Sequence, residues 1–205
     1  MVRVKVCGIT RKEDALAAVR LGFHALGFIF APGPRQVSAD LAAEIIRSLP
    51  PVITTVGVFV DEDPSFVDSM IIRCGLDLVQ FHGPQTPDMC ARFMPRSIKS
   101  VHLKDRESLS YAASYKGSVR ALHFDTHSGG GGGGTGIPCD WVLAREGAAL
   151  GIPVVLAGGI GPANAAVAVR AVSPWAVDVN SGVEARPGVK SHALMRELSN
   201  SLERC

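Results

Sequence analysis

Aromatic side chains are scarce in this chain of 205 residues, at 6%. No apolar run approaches the roughly 18 residues that a membrane span needs, so no membrane partner is expected. Blocks of Lys or Arg are also missing, and 21 basic residues against 19 acidic ones leave a formal net charge of +2. Without a concentrated positive field the chain lacks the footprint of a nucleic-acid or membrane-surface binder. No C-x-x-C pair occurs, and the five cysteines (Cys7, Cys74, Cys90, Cys139, Cys205) are odd in number and widely scattered. That excludes neither a reactive thiol nor a buried one, but it argues against a disulfide framework or a structural zinc site. Met1–Cys7 alternates like a strand and has no basic segment leading into an apolar one, so no secretory signal is expected. The expected location is cytoplasmic.

What is present is a core-forming composition: 47% hydrophobic, 20% charged, with 22 glycines suited to many tight connections. Disordered chains lack this much aliphatic content. Short apolar runs alternate with helical patterns from end to end. Strands are predicted at Val2–Cys7, Ala25–Phe30, Val52–Val60, Leu76–Phe81, Ile98–Leu103, Ser118–Phe124, Pro153–Ala157 and Trp175–Val179. Helical patterns lie between and after them, at Arg11–Leu21, Ser38–Leu49, Asp63–Cys74, Thr86–Phe93, Lys104–Tyr115, Asp140–Leu150, Pro162–Ala171 and Val189–Leu202. Ser38 is placed to cap its helix, Pro50-Pro51 to stop it, and Pro64 sits at a first helical turn. Repeating β-then-α units of about 26 residues fit a single (β/α)₈ barrel over residues 1–205. The competing doubly wound open sheet expects G-x-G-x-x-G after its first strand, where this chain has Cys7-Gly8-Ile9-Thr10.

Strand parity points the same way. Lys5 and Cys7 share one face of strand one while Val2, Val4 and Val6 share the other. Gln80 and His82 oppose Val79 and Phe81, His123 and Asp125 oppose Leu122 and Phe124, and Asp178 and Asn180 oppose Val177 and Val179. A sheet buried on both faces would be apolar throughout. A barrel with its site at the strand C-termini wants one polar face.

Several residues on that face can carry chemistry. Cys7 reads either as a small buried residue or as a thiolate base, which nearby positive charge would favour. Asp125 reads either as a loop cap or, with Cys7, as half of an acid/base pair. Arg35 is either solvated or a bidentate clamp for a carboxylate. The six-glycine run at 129–134 reads as a linker or as a mobile loop over a barrel mouth. Gly158-Gly159 and Ser181-Gly182 form glycine turns after strands seven and eight, where barrels bind phosphate through backbone N–H groups. A phosphorylated small molecule is the expected partner. His24, His102, His127 and His192 show no metal-ligand spacing and are expected to be structural or solvent-facing.

The motifs resemble one family, the N-(5'-phosphoribosyl)anthranilate isomerases of tryptophan biosynthesis. Matching pieces include Val4-Lys5-Val6-Cys7-Gly8-Ile9-Thr10, Pro34-Arg35, Val79-Gln80-Phe81-His82-Gly83, Asp125, Leu156-Ala157-Gly158-Gly159-Ile160 and Asp178-Val179-Asn180-Ser181-Gly182-Val183-Glu184. They run through nearly the whole chain in order. The resemblance implies a (β/α)₈ barrel catalysing an Amadori rearrangement with no cofactor and no metal, as a monomer or homodimer. It implies Asp125 as the acid that opens the ribose ring and Cys7 as the base that takes the C2' proton. Arg35 would hold the anthranilate carboxylate, and Asp178 would contact the ribose or the amine nitrogen. Gly158, Gly159, Ser181 and Gly182 would bind the phosphate. Against the family pattern, the loop Ala31–Arg35 is a residue shorter with Gly33 near a usual serine, the glycine run is richer, and Cys139 stands where an aromatic is common. Two alternatives are a phosphosugar epimerase, which would need inward His and Asp residues around a divalent metal, and a non-catalytic phosphosugar-binding barrel. No metal cluster of that kind is visible in the sequence.

Overall fold

The computed structural model describes residues 2–126 and 140–203. Its strands are β1 (Arg3–Val6), β2 (Ala25–Ile29), β3 (Thr54–Phe59), β4 (Leu78–Phe81), β5 (Ser97–Leu103), β6 (Ala121–Thr126), β7 (Val154–Leu156) and β8 (Ala176–Val179). The helices that follow them in turn are α1 (Lys12–Arg20), α2 (Ala39–Arg47), α3 (Pro64–Cys74), α4 (Pro87–Arg92), α5 (Arg106–Ala113), α6 (Trp141–Ala148), α7 (Ala165–Val172) and α8 (His192–Leu202). All neighbouring strands pair in parallel, and β8 returns to β1 with Lys5 opposite Asp178, so the sheet closes into a (β/α)₈ barrel. Closure rules out the open doubly wound sheet.

The caps anticipated from sequence are in place, with Ser38 accepting from Leu41 N and Pro64 opening α3 behind the Asp63 cap. Two elements differ. The predicted helix from Val189 instead begins with a short strand, β10 (Val189–Lys190), hairpinned against β9 (Glu184–Arg186), and α8 starts after its Ser191 cap. The cause is the Lys190 side chain, which is drawn back to Glu184 and Asn180. Helix α7 begins at Ala165, not Pro162, because Asn164 holds the preceding turn through Gly161 N and Gly159 O. The glycine run at 129–134, together with His127 and Cys139, lies outside the described residues.

The barrel interior is layered, each strand climbing one layer every two residues, about 6.6 Å. At the bottom Leu78, Ile98, Ala121, Val155 and Ala176 form an apolar plug separate from the core beneath the helices. Above them Lys5, Gln80, Ser100, His123 and Asp178 form a buried polar layer. One step higher stand Cys7, His82, His102, Asp125 and Asn180, at the open end. Elsewhere the core is the layer between strands and helices, filled by side chains such as Phe28, Leu26, Phe81, Leu122, Phe124 and Val177.

Candidate active site

A cavity of about 710 Å³ occupies the C-terminal mouth of the barrel. All eight residues singled out from the sequence line it: Cys7, Arg35, Asp125, Gly158, Gly159, Asp178, Ser181 and Gly182. They reach it from the ends of β1, β6, β7 and β8 and from the loop after β2, so the barrel assembles one site from five places in the chain.

Cys7 is buried, with its thiol beside Lys5, and Gly27 on β2 supplies the room. A Cβ at Gly27 would lie 2.8 Å from Cys7 Sγ and 3.1 Å from Lys5 Nζ. Burial pushes the Cys7 thiol above its ordinary range, while the Lys5 and Lys190 cations oppose this and the Asp178 anion adds to it. Lys5 is raised despite a desolvation that works to lower it, because Asp178 lies 2.6 Å from its ammonium. Gly27→Ala is therefore expected to overpack the site, costing about 1–3 kcal/mol. By moving the thiol it should also lower turnover about tenfold or more. Thermal melting and steady-state kinetics on the same sample check both, and wild-type turnover would show that the thiol's position is immaterial.

Asp178 sits at the floor. Its Oδ2 accepts from Lys5 Nζ at 2.6 Å and pairs with His123 Nε2 at 2.9 Å, whereas Oδ1 is buried with no hydrogen-bond partner among the described residues. Burial works to raise this carboxyl, but the Lys5 charge and the His123 hydrogen bond prevail and hold it low. An ionised carboxylate with one oxygen unused at the cavity floor is ready to accept a ligand hydroxyl or amine.

Asp125 stands on β6 with His82 Nε2 4.0 Å from its Oδ2. The His82 imidazole is held down to about 3, mainly by burial and then by the His123 and His102 rings. It is neutral at physiological pH and is not a cationic counter-ion. His102, expected to be structural or solvent-facing, lines the cavity and packs edge-on to His82 at 5.1 Å. Its neighbours on the inward face of β5, Ile98 and Ser100, were the available signal. His24 and His192 do lie outside the site, bound to Val4 N and Asp14.

The barrel also gathers a cluster that the linear sequence did not reveal. Ligand atoms of His82, His123 and Asp125 lie within 4.8 Å of one another, a donor set of the kind a divalent cation takes. Both nitrogens of His123 are already engaged, by Ser100 and by Asp178, so this imidazole has other work.

Arg35 comes from the loop after β2 and directs two nitrogens at Glu184, Nε at 2.9 Å and Nη2 at 2.8 Å. Glu184 also accepts from Lys190 Nζ and Gly188 N. The bidentate edge of the guanidinium is thus committed to a protein carboxylate 149 residues away, a partner that local sequence cannot show. Nη1 makes no hydrogen bond among the described residues.

The two glycine turns meet at the rim above β7 and β8. Gly158 and Gly159 have φ of +81° and +65°, left-handed values that favour glycine, and their N–H groups reach no protein acceptor among the described residues. Gly182 presses against this turn so closely that a Cβ there would lie 2.1 Å from Ile160 O. Amides held open at a rim in this way suit an oxyanion.

Comparison with known proteins agrees with this geometry. The family model described as N-(5'phosphoribosyl)anthranilate (PRA) isomerase matches residues 4–201. An N-(5'-phosphoribosyl)anthranilate isomerase of Geobacter sulfurreducens is 48% identical over 198 residues, 96% of each chain. The crystal structure of phosphoribosyl anthranilate isomerase from Thermotoga maritima superposes with a TM-score of 0.92 at 36% identity, covering 100% of both chains. A second solved isomerase, in complex with reduced 1-(o-carboxyphenylamino)-1-deoxyribulose 5-phosphate, gives 0.88 at 35% identity with the same coverage.

Proposed function

This chain belongs to the N-(5'-phosphoribosyl)anthranilate isomerase family, and we propose that Asp125 and Cys7 divide its proton chemistry. It catalyses the Amadori rearrangement of N-(5'-phosphoribosyl)anthranilate to 1-(2-carboxyphenylamino)-1-deoxyribulose 5-phosphate, a step of tryptophan biosynthesis. Asp125 gives a proton to the ribose ring oxygen; the C1'–O bond breaks and an iminium forms at C1'. The Cys7 thiolate then takes the C2' proton, and the C–H electron pair becomes the C1'–C2' double bond of an enolamine. Tautomerisation moves the C2' hydroxyl hydrogen to C1' and leaves the ketone. Asp125 has lost one proton and Cys7 has gained one, so a single transfer between them restores the enzyme. Proton traffic between adjacent carbons needs one acid and one base and no redox partner.

The rest of the mouth positions the substrate. In this reading the amides of Gly158, Gly159, Ser181 and Gly182 hold the phosphate, and Asp178 Oδ1 accepts from the ribose or from the amine nitrogen. Arg35 takes the anthranilate carboxylate through Nη1, with Glu184 fixing the guanidinium. Arg35→Ala is expected to raise KM about tenfold or more with a smaller change in kcat. An unchanged KM in steady-state assays would remove the clamp role. The enzyme works in the cytoplasm as a monomer or homodimer; no described helix is long and apolar enough to cross a membrane.

The observation that supports this reading is that a thiol beside a lysine, a separate carboxyl and two amide-lined turns converge on one cavity. A fluorescence assay with freshly made phosphoribosylanthranilate tests it: turnover supports the assignment, and its absence overturns it. A metal-dependent phosphosugar epimerase would show itself by loss of activity with a chelator, but in the His82–His123–Asp125 grouping both nitrogens of His123 are already engaged by Ser100 and Asp178.

A further inference from the structure

Beneath the cavity, the polar layer forms a chain of hydrogen bonds that the rearrangement itself does not require. Gln80 Nε2 donates to Ser100 Oγ at 3.1 Å, and Ser100 Oγ lies 3.2 Å from His123 Nδ1. His123 Nε2 lies 2.9 Å from Asp178 Oδ2, which also accepts from Lys5. Each member is at most 6% exposed. Strand register builds the chain, because Ser100 faces His123 across β5 and β6, and Lys5 faces Asp178 across β1 and β8.

The direction of every bond follows from the donors available. An ionised Asp178 only accepts, so His123 Nε2 carries the hydrogen. In the neutral ring Nδ1 is then the acceptor, and Ser100 gives its hydroxyl hydrogen to it. The Ser100 oxygen is left to receive the Gln80 amide. All the bonds agree with a single tautomer, the Nε2–H imidazole.

We propose that His123 is a positioning residue for the rearrangement: held in one tautomer by Ser100 and Gln80, it orients Asp178 and shares its negative charge with Lys5, so that Cys7 can ionise beside them. His123 touches no reacting atom. It acts through Asp178, which lines the cavity and whose carboxylate is oriented by the two donors fixed on Oδ2. The charged and titratable groups around the thiol are Lys5 on β1, Asp178 on β8, Lys190 on β10 and Arg35 from the loop after β2. Those around His123 are Asp178, His82 on β4 and Asp125 on its own strand. With His123 removed, Asp178 keeps only Lys5, its charge is less compensated, and a thiolate next to it is harder to form.

The inference rests on the assignment of Cys7 as the base, so the test includes a readout that needs no turnover. Ultraviolet absorbance of the thiolate is titrated in the whole enzyme without substrate, and the signal of a Cys7→Ser sample is subtracted to isolate Cys7. His123→Leu is expected to move this ionisation upward by about half a pH unit or more. Its kcat should fall about tenfold with KM changed less than about twofold. His123→Gln, which keeps an N–H for Asp178, is expected to recover most of both losses. Ser100→Ala, a milder change, should shift the titration in the same direction by less. An unmoved Cys7 titration in folded His123→Leu overturns the proposal, as does a His123→Gln enzyme no better than the leucine variant. Should Cys7→Ser retain turnover, the acid–base assignment fails on that result alone, while the titration still reports whether His123 acts on the thiol.

Discussion

Replacing Asp125 by asparagine is expected to lower kcat about 10² to 10⁴-fold, the usual contribution of a general acid. Asparagine keeps the shape and hydrogen-bonding capacity of the side chain and loses only the ability to deliver a proton. His82 does not stand in for it. This imidazole lies 4.0 Å from Asp125 Oδ2, and with its protonation held down to about 3 it has no proton to give at neutral pH. KM should change little, because the phosphate turns and Arg35 are untouched. Steady-state fluorescence kinetics together with circular dichroism check the result. Near-normal turnover in a folded variant would defeat the assignment.

Cys7→Ser should be comparably severe, lowering turnover at least about 10²-fold. Serine nearly preserves the volume of the thiol against Gly27, but a hydroxyl is far too weakly acidic for Lys5 to ionise it. The thiol also titrates in the native enzyme. A base works only when deprotonated, and burial pushes the Cys7 thiol up in spite of Lys5 and Lys190. In the free enzyme the thiolate fraction, read by its ultraviolet absorbance, should therefore grow as pH rises through the ordinary thiol range, whereas turnover also needs Asp125 to keep its proton and does not follow the thiolate alone. Lys5 is itself raised and remains a cation across that window. A thiolate signal already complete at about pH 7 would mean that burial does not hold this thiol up.

Strand parity made much of this site legible in advance. Period-two alternation put Lys5 with Cys7, His123 with Asp125 and Asp178 with Asn180, and all of these face the inside of the barrel. Glycine turns after β7 and β8 were legible because only a few residue types tolerate their backbone. What stayed hidden were partnerships across the ring. Parity says which face a residue occupies and nothing about how strands are staggered, so the Lys5–Asp178 and Ser100–His123 pairs appear only once register is known. Arg35 was found and its companion missed for the same reason, since Glu184 reaches it through a hairpin that reads as the start of a helix. His102 sat on an inward face with Ser100, but Ile98 on that face and Lys99 on the other blurred the alternation that marked the other site strands.

The apolar plug of Leu78, Ile98, Ala121, Val155 and Ala176 has a kinetic corollary. A tube stoppered at one end has a single doorway, so the reactant waiting outside and the finished ketose inside must use it in turn. Release of one is a condition for admission of the other, and accumulated ketose competes directly with fresh glycosylamine for the same vestibule.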